Sequence, residues 1–539
     1  MFIRLVGVFE VRNDAGHDCT PRGAKARAIL AMLCRTPGRL RPRRWLEARL
    51  WSDRDAERAA GSLRQALMEI RKAFGRDADR LFSDRDSVRL ADVETDLEQD
   101  ADTATLALSS GHEFLEGIDI IDHAFTIWLQ EERSRVDEQM GIARPSEARP
   151  SRAAIPRLPL VIRLGKLPDG QGNYIGKALA DAIGRLVAEF AHVDLFGASG
   201  SPIPKDLPPG GMSLHVEGTE GQDQVHLLVS LISTAGRKTI WNQRAAVPLK
   251  EADIFAKGEL PPLVFQAADA ALAHFPLLRE CAEGPMRANA LIAEALTEMF
   301  SYDSARLRLA DRLLVEANDL AEPGRIYAWR CLVRQIMYVE RTETDYRTLV
   351  AEADEFSRKA LEMSNANPLV LALVSQARVM VDENPEAGTI LARDAVLLSP
   401  CNAFAHWARA AALIRNDDNA GALAAARRGV EIAARTAHVH WWEALSGLAA
   451  LRGGDHAAAI AHYEAAHYRA PSFRAAMRHL LFLYLAVDDR VRASRIYRGL
   501  LRVEPDFTLD RIRNEPEYPA VTLRRSGLLD RVGLELADL

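Results

Sequence analysis

Hydrophobic and polar residues alternate with a helical period between residues 55 and 74. The apolar positions recur after four, three and four residues, on one face of a helix, at Leu63, Leu67, Ile70 and Phe74. With about 100° of rotation per residue, the opposite face carries mostly long polar side chains. These opposite positions are Arg54, Arg58, Gly61, Arg64, Gln65, Met68 and Lys72. The pattern therefore predicts one amphipathic helix with an apolar stripe and a cationic face.

The segments around this helix predict a small unit of strands and helices. Residues 2–12 alternate as a strand pair around a glycine, and residues 80–92 alternate around a polar turn, which is typical of a hairpin. Apolar stripes predict two further helices, over 23–35 and 43–51. Strands, three helices and a hairpin in this order predict a winged helix, in which a helix-turn-helix is followed by a β-wing.

The polar face of the 55–74 helix suits the major groove of DNA. Arginine pairs bidentately with guanine and glutamine with adenine, and Gly61 permits a close approach. Four arginines crowd the turn between the first two helices, where phosphate contacts are expected. The alternatives are an ordinary solvated helix face and a loop that is merely polar. The candidate DNA-binding residues are Arg39, Arg41, Arg43, Arg44, Arg58, Arg64, Gln65, Met68, Arg71 and Lys72.

The charge distribution supports this interpretation. Residues 1–92 contain 20 Lys and Arg against 13 Asp and Glu, a net charge of +7. The whole chain has a formal net charge of −6, so the remaining residues carry −13. Positive charge is therefore concentrated in the predicted DNA-binding segment.

This segment resembles a known class of bacterial regulators. The runs KARAILAML and SLRQALMEIRKAF, with the LW that ends the second helix, are similar to the winged-helix domain of SARP-type transcriptional activators and, more distantly, to OmpR-type domains. The resemblance implies that the 55–74 helix binds promoter DNA and that Arg85, at the hairpin tip, contacts an adjacent minor groove. It also implies RNA polymerase as a candidate partner, through the short loop at 52–55.

The resemblance continues into residues 112–140. The motif FLEGID and the stretch from Trp128 to Arg133 are similar to the start of the helical domain of bacterial transcriptional activators, the BTAD domain. The chain then departs from that family, because residues 141–159 contain four prolines among basic and small residues, as in a linker. The truncated helical segment is therefore expected to brace the winged helix.

Residues 157–283 predict an α+β domain with a small sheet. An apolar strand over 158–164 is followed by a helix over 174–191 and a second strand in HVDLFGA. Three strand-like runs then fill 213–247, and a helix across 251–274 closes the domain.

This domain also resembles a known one. The residues VEGT at 216–219, VHLLVSLI at 225–232, the strand around Trp241 and DIF at 253–255 are similar to the non-catalytic sheet domain of many bacterial adenylate cyclases and CadC-like regulators. In those proteins the domain lies between an output module and tetratricopeptide repeats. It supplies no cyclase chemistry.

From about residue 285 to 510 the chain predicts helices that repeat. Small residues recur in pairs seven apart, and the first members of the pairs are 35, 34 and 37 residues apart. The pairs are Ala353 with Ala360, Gly388 with Ala395, Ala422 with Gly429, and Ala459 with Ala466. A period near 34 with this pattern is the signature of tetratricopeptide repeats, which stack into a superhelix with a concave face.

The tryptophans of this region are expected to pack between helices. They are Trp329, Trp407, Trp441 and Trp442. The alternative is a groove for a protein or peptide partner, lined by these residues with His438, His440 and His462.

Composition excludes several kinds of site. The five cysteines are odd in number and widely spaced, which favours reduced thiols in the cytosol. The sequence contains no metal-ligand spacing, phosphate-binding loop or dinucleotide fingerprint, so we expect no cofactor, no metal and no catalytic residues, that is, no enzyme. An apolar leader and an apolar run of about 20 residues are both missing, so we expect no membrane association.

The sequence thus predicts a multidomain, mainly α protein with an N-terminal winged helix, a central small α+β sheet domain and a C-terminal TPR α-solenoid. The predicted segments are 1–92 (winged helix), 93–140 (truncated BTAD-like helices), 141–156 (linker), 157–283 (sheet domain), 285–510 (repeats) and 511–539 (cap). The predicted function is that of a cytoplasmic, sequence-specific regulator of transcription that binds double-stranded promoter DNA, with a homodimer as a candidate assembly. The sheet domain and repeats would sense a ligand or protein. The alternative is an interaction scaffold whose winged helix does not bind DNA specifically.

Overall fold

The chain forms two compact units in the computed structural model, Met1–Arg152 and Ala153–Leu539. The structure describes residues 1–51, 56–84, 87–99, 101–110, 112–118, 120, 122, 125, 128–129, 132–133, 135–136, 140, 157–197, 203, 211–234, 238–249, 254–277, 284–343, 345–381 and 385–531. These residues are mostly helical, with several small sheets, which confirms the mainly α class. The finer domain boundaries stay predictions.

The first unit contains two three-stranded sheets and five short to medium helices among its described residues. In chain order these are β1 (Phe2–Arg4), β2 (Glu10–Arg12), α1 (Ala24–Cys34), β3 (Leu40–Pro42), α2 (Arg43–Leu50), α3 (Ala56–Phe74), β4 (Leu81–Ser83), β5 (Ser87–Leu90), β6 (Glu94–Thr95), α4 (Asp96–Gln99) and α5 (Ala101–Ser109). The strand orders are β2-β1-β6 and β3-β5-β4. The predicted strand pair, three helices and hairpin are therefore confirmed in their places.

Helix α3 packs against α1 through the predicted apolar stripe. Leu63, Leu67, Ile70 and Phe74 are all buried, and each such side chain contributes about 1.5–3 kcal/mol. Between the stripe residues, the Glu69 carboxylate accepts a hydrogen bond at 2.5 Å from the backbone N–H just before α1. Helix α3 is thus held in place by its buried apolar stripe and by the hydrogen bond that Glu69 accepts from the residue before α1.

The segment after α5 packs into the same core. The Leu115 N–H donates to the Leu5 carbonyl at 2.8 Å, and the Phe114 and Trp128 rings lie 6.2 Å apart. The buried Glu132 carboxylate pairs with Arg35, which directly follows α1, at 2.8 Å. The described residues after α5 therefore pack onto the rest of the first unit.

The second unit begins with a five-stranded mixed sheet. Its elements are β7 (Leu158–Leu164), α6 (Gln171–Phe190), β8 (Val193–Phe196), β9 (Met212–Glu220), β10 (Gln224–Ser233), β11 (Thr239–Pro248) and α7 (Leu260–His274). The order is β11-β10-β9-β7-β8, with β7 parallel to both neighbours and β9 to β11 an antiparallel meander. The predicted small sheet is confirmed.

The predicted helix across 251–274 is wrong over residues 254–259. Residues 254–259 form turns and bends, and residues 251–253 lie outside the described residues. Helix α7 begins at Leu260 because two prolines follow at once and fit only a first helical turn. Gly258, with a φ of 83°, turns the chain before them.

The rest of the second unit is an array of helices. They are α8 (Gly284–Met299), α9 (Ser304–Ala317), α10 (Pro323–Glu340), α11 (Tyr346–Ser364), α12 (Pro368–Val381), α13 (Pro385–Leu398), α14 (Ala403–Arg415), α15 (Asn419–Ala433), α16 (His440–Arg452), α17 (His456–Arg469), α18 (Arg474–Ala486), α19 (Arg490–Val503), α20 (Leu509–Asn514), α21 (Val521–Arg525) and α22 (Leu528–Arg531). From α8 to α19, each even-numbered helix packs against the next as a hairpin.

The same turn chemistry recurs between hairpin helices. A residue in the left-handed region ends the turn, and the aspartate after it caps the second helix by accepting a backbone N–H at 2.9–3.0 Å. The pairs are Asp417 with Asp418, Gly454 with Asp455, and Asp488 with Asp489. A repeated turn of this kind gives successive hairpins the same geometry.

The periodic small residues lie where a second helix closely approaches a neighbour. A Cβ on Gly429 would lie 2.9 Å from the Trp442 ring, and one on Gly388 would lie 3.0 Å from the Ser375 carbonyl. Ala353 and Ala360 are likewise buried. The sequence period thus reports a real packing constraint.

The first helices of these hairpins pack against α6 and α7 of the sheet part. Phe190 of α6 contacts Trp329 and Phe404 at ring distances of 6.2 and 5.9 Å, and Phe265 of α7 contacts Trp442 at 5.8 Å. The expected core packing of the four tryptophans is confirmed, with Trp441 partly buried. His440 bonds to the Phe300 carbonyl, and His462 to Glu443. The chain's own residues thus occupy this part of the predicted groove.

No helix within the described ranges is long and apolar enough to cross a bilayer. Cys19, Cys34, Cys331 and Cys401 are buried, and Cys281 lies outside the described residues.

Candidate nucleic-acid interface

One face of α3 presents polar side chains to solvent. Arg58, Arg64, Gln65, Met68 and Lys72 are all exposed, and the Met68 side chain is 68% exposed. Because the opposite stripe is buried, the helix cannot rotate these residues inward without losing its packing. The sequence therefore placed them correctly on one surface, and only Arg54 lies outside the described residues.

Arg71 lies on α3 but points to the hairpin rather than to solvent. Its guanidinium donates to the Ser83 hydroxyl at 2.7 Å and to the Leu81 carbonyl at 3.4 Å. Arg43, at the start of α2, reaches the Asp84 carbonyl at the hairpin turn at 3.5 Å. These two arginines connect the hairpin to the helices and so fix where it lies.

Two of the arginines between α1 and α2 are also used within the fold. Arg39 donates to the Val93 carbonyl and pairs with Glu98 at 2.6 Å. Arg41 donates to the Thr36 hydroxyl at 2.7 Å, and its guanidinium lies 4.0 Å from the Trp45 ring centre. The sequence could not distinguish Arg39 from a phosphate ligand, because its partner Glu98 is 59 residues away.

Arg44 differs from the other three arginines of this turn. Its side chain is exposed in the first turn of α2. It is therefore the arginine of this group whose position best suits a phosphate contact.

The outer face of the sheet β3-β5-β4 carries a row that sequence analysis missed. Leu40, Arg89 and Phe82 are cross-strand neighbours, and all three are exposed. Leu81, Val88 and Leu90 face the core instead. The alternation of residues 87–90 was the available signal, because it places Arg89 on the face of the sheet opposite to that of the buried Val88.

The hairpin tip is only partly described. Asp84 accepts the Ser87 backbone N–H at 2.7 Å, which closes the turn. Arg85, the expected minor-groove contact, lies outside the described residues.

Within the part of the chain that the structure describes, no three His, Cys, Asp or Glu residues are grouped to hold a metal ion. Burial raises the pKa of the Cys34 thiol to about 12, so the thiol stays protonated and unreactive.

The chain matches no model of a known protein family, and no curated protein gives a significant match.

Proposed function

We propose that this chain is a sequence-specific DNA-binding regulator of transcription. The first unit would be a winged helix of the SARP and OmpR type, with α3 in the major groove and the β4–β5 hairpin as the wing. The observation that carries the proposal is the exposed row Arg58, Arg64, Gln65, Met68 and Lys72, opposite a fully buried stripe. Arginine and glutamine on a rigid helix are the side chains that recognise guanine and adenine edges.

The other parts of the surface have roles in the same proposal. Arg44, Arg58 and Lys72 would contact phosphates, and Arg64 and Gln65 would contact bases. Arg71 and Arg43 would act indirectly, by holding the wing. Arg89 and Phe82 extend the candidate surface onto the sheet.

The second unit would be the regulatory part. Its sheet would correspond to the non-catalytic domain of cyclase and CadC-type proteins, and its hairpins to tetratricopeptide repeats that sense a ligand or protein. We further propose a cytoplasmic protein, with RNA polymerase and a second copy of the chain as partners on promoter DNA.

Binding of genomic DNA fragments tests the proposal. Purified full-length protein is mixed with sheared DNA from its source organism at about 150 mM salt, near physiological ionic strength, and the retained fragments are sequenced. We expect a common site. Arg64→Ala should weaken binding to that site by about 1–3 kcal/mol and relax one base position, whereas Arg44→Ala should weaken all sequences about equally.

A matched control uses an arginine of the second unit. Arg185 is exposed and pairs with Asp181 on the surface of α6, so Arg185→Ala makes the same charge change away from α3. Unchanged site binding by Arg64→Ala would contradict the assigned face. If no sequence is enriched even at low salt, the interaction scaffold becomes the better description.

A further inference from the structure

A cavity lies between α7 of the sheet part and helices α8, α14 and α16 of the array. Four aromatic rings form a closed cycle along it. Their centres lie 6.1 Å (Phe190 to Phe265), 5.8 Å (Phe265 to Trp442), 5.0 Å (Trp442 to Phe404) and 5.9 Å (Phe404 to Phe190) apart. Three of these four contacts are edge-to-face, so the positive edge of one ring meets the negative face of the next.

One carboxylate lines the same cavity. Asp269 is one helical turn after Phe265 on α7, so both side chains lie on the same face. Among the described residues, no hydrogen bond or ion pair reaches Asp269. Burial alone raises its pKa to about 6, because the ionised form has no partner there.

The other polar groups of the lining do not provide a positive charge. Burial lowers the pKa of His438 to about 4, so its imidazole is neutral at pH 7. The Thr436 hydroxyl donates to the Ala433 carbonyl at 2.8 Å, and the Trp442 indole N–H donates to the Ala403 carbonyl at 2.9 Å. Asp269, which is partly buried, is thus the ionisable group of the cavity without a charged partner among the described residues.

We propose that this cavity binds a small organic cation, an ammonium or methylated ammonium group, between the Asp269 carboxylate and the aromatic rings. Cations bind the faces of tryptophan and phenylalanine, most strongly where water is excluded. A bound cation would also supply the counter-charge that the carboxylate lacks. The proposal does not depend on DNA binding by the first unit.

The size of the cavity limits the ligand. About 30 Å³ is open to the centre of a water-sized molecule, whereas a single water needs about 10–15 Å³. By this measure two or three heavy atoms fit, as in methylammonium, and tetramethylammonium, with five, tests the upper limit of size.

Titration calorimetry of the full-length chain tests the proposal. The probes are methylammonium chloride and tetramethylammonium chloride, with tert-butanol as a neutral probe of similar shape and sodium chloride to match ionic strength. We expect saturable binding of at least one cation and none of comparable affinity for tert-butanol. Asp269→Asn, which keeps the side-chain volume, should weaken cation binding about tenfold or more.

Two further variants keep the test decisive. Asp181→Asn, on the surface of α6, makes the same chemical change outside the cavity and should leave affinity unchanged. Phe404→Leu removes one aromatic ring but keeps an apolar side chain, so it should also weaken cation binding. This variant decides the test if the Asp269→Asn chain does not fold. The proposal is overturned if neither cation saturates, if tert-butanol binds equally well, or if the Asp269→Asn and Phe404→Leu chains bind like the wild type.

Discussion

Glu189 gives the clearest quantitative prediction. Its side chain, at the end of α6, is only 8% exposed and accepts a hydrogen bond from Asn402 at 2.8 Å. Burial raises its pKa from 4.5 to about 7. Glu189→Gln keeps the shape and removes the titration.

The sign follows from which state holds the proton. Between pH 4.5 and 7 the folded chain keeps a proton that the unfolded chain has released, so stability is greatest below about pH 4.5 and falls as pH rises to about 7. A shift of this size costs about 2.5 kcal/mol between about pH 5 and pH 8. The amide that replaces the carboxyl group in the variant cannot ionise, so the variant should lack this loss.

Urea unfolding followed by circular dichroism, at intervals across the same pH range, measures the difference. Burial also raises the pKa of Glu340 to about 7, but this contribution is common to both chains and cancels in the comparison. Glu362→Gln, at an exposed ion pair with Arg358, is the matched control and should follow the wild type. If Glu189→Gln loses as much stability as the wild type across that range, the assigned titration is wrong.

Three further predictions concern the first unit. If about five phosphates are neutralised, a plot of the logarithm of the DNA association constant against the logarithm of the salt concentration should have a slope of about −4 to −5. Arg44→Ala should reduce the magnitude of that slope by about 1. A flat salt dependence would exclude phosphate contacts. Arg71→Ala should destabilise the first unit by about 1–2 kcal/mol in thermal unfolding, through the two lost bonds to β4, whereas Arg76→Ala, at an exposed position just beyond α3, should have little effect. Gly23→Ala places a methyl group 2.6 Å from the Glu69 carboxylate, which must then leave its hydrogen bond with the Gly23 N–H, and should cost about 1 kcal/mol. If Gly23→Ala costs as much in a Glu69→Ala background as in the wild type, this contact is not the cause.

Sequence reasoning worked best where periodicity reports burial directly. The stripe of α3 was predicted because its apolar residues recur with the period of a helix. The strand over 158–164 was predicted because its continuous apolar run has the length of a buried strand. The start of α7 was missed because apolar residues before Leu260 resemble a continuing helix, whereas Pro261 and Pro262 permit only a beginning there.

Side-chain partners were harder to predict than elements. Arg39 and Arg44 look alike in the sequence, yet the first is bound to Val93 and Glu98 and the second is exposed. What separates them is the part of the chain around β6, which supplies both partners of Arg39. No pattern near Arg39 in the sequence predicts these partners. The same reason hid Arg89, whose neighbours are set by strand register.

The aromatic cavity could not be predicted at all. Phe190 and Trp442 belong to segments that are far apart in the chain, and no periodicity in the sequence relates the two positions. Only the packing of α6 and α7 against the helical array brings the rings of the cavity together. Each residue alone fits an ordinary core.

The contact of α6 and α7 with the hairpin helices has a practical consequence for dissecting the chain. A fragment cut at the predicted boundary near residue 283 would leave Phe190 and Phe265 facing water on one piece, and Trp329 and Phe404 on the other. Both pieces would then be prone to aggregate during expression, and a protease that nicks this segment should yield two polypeptides that elute together. Recombinant work on the second unit should therefore keep residues 157–531 as one polypeptide.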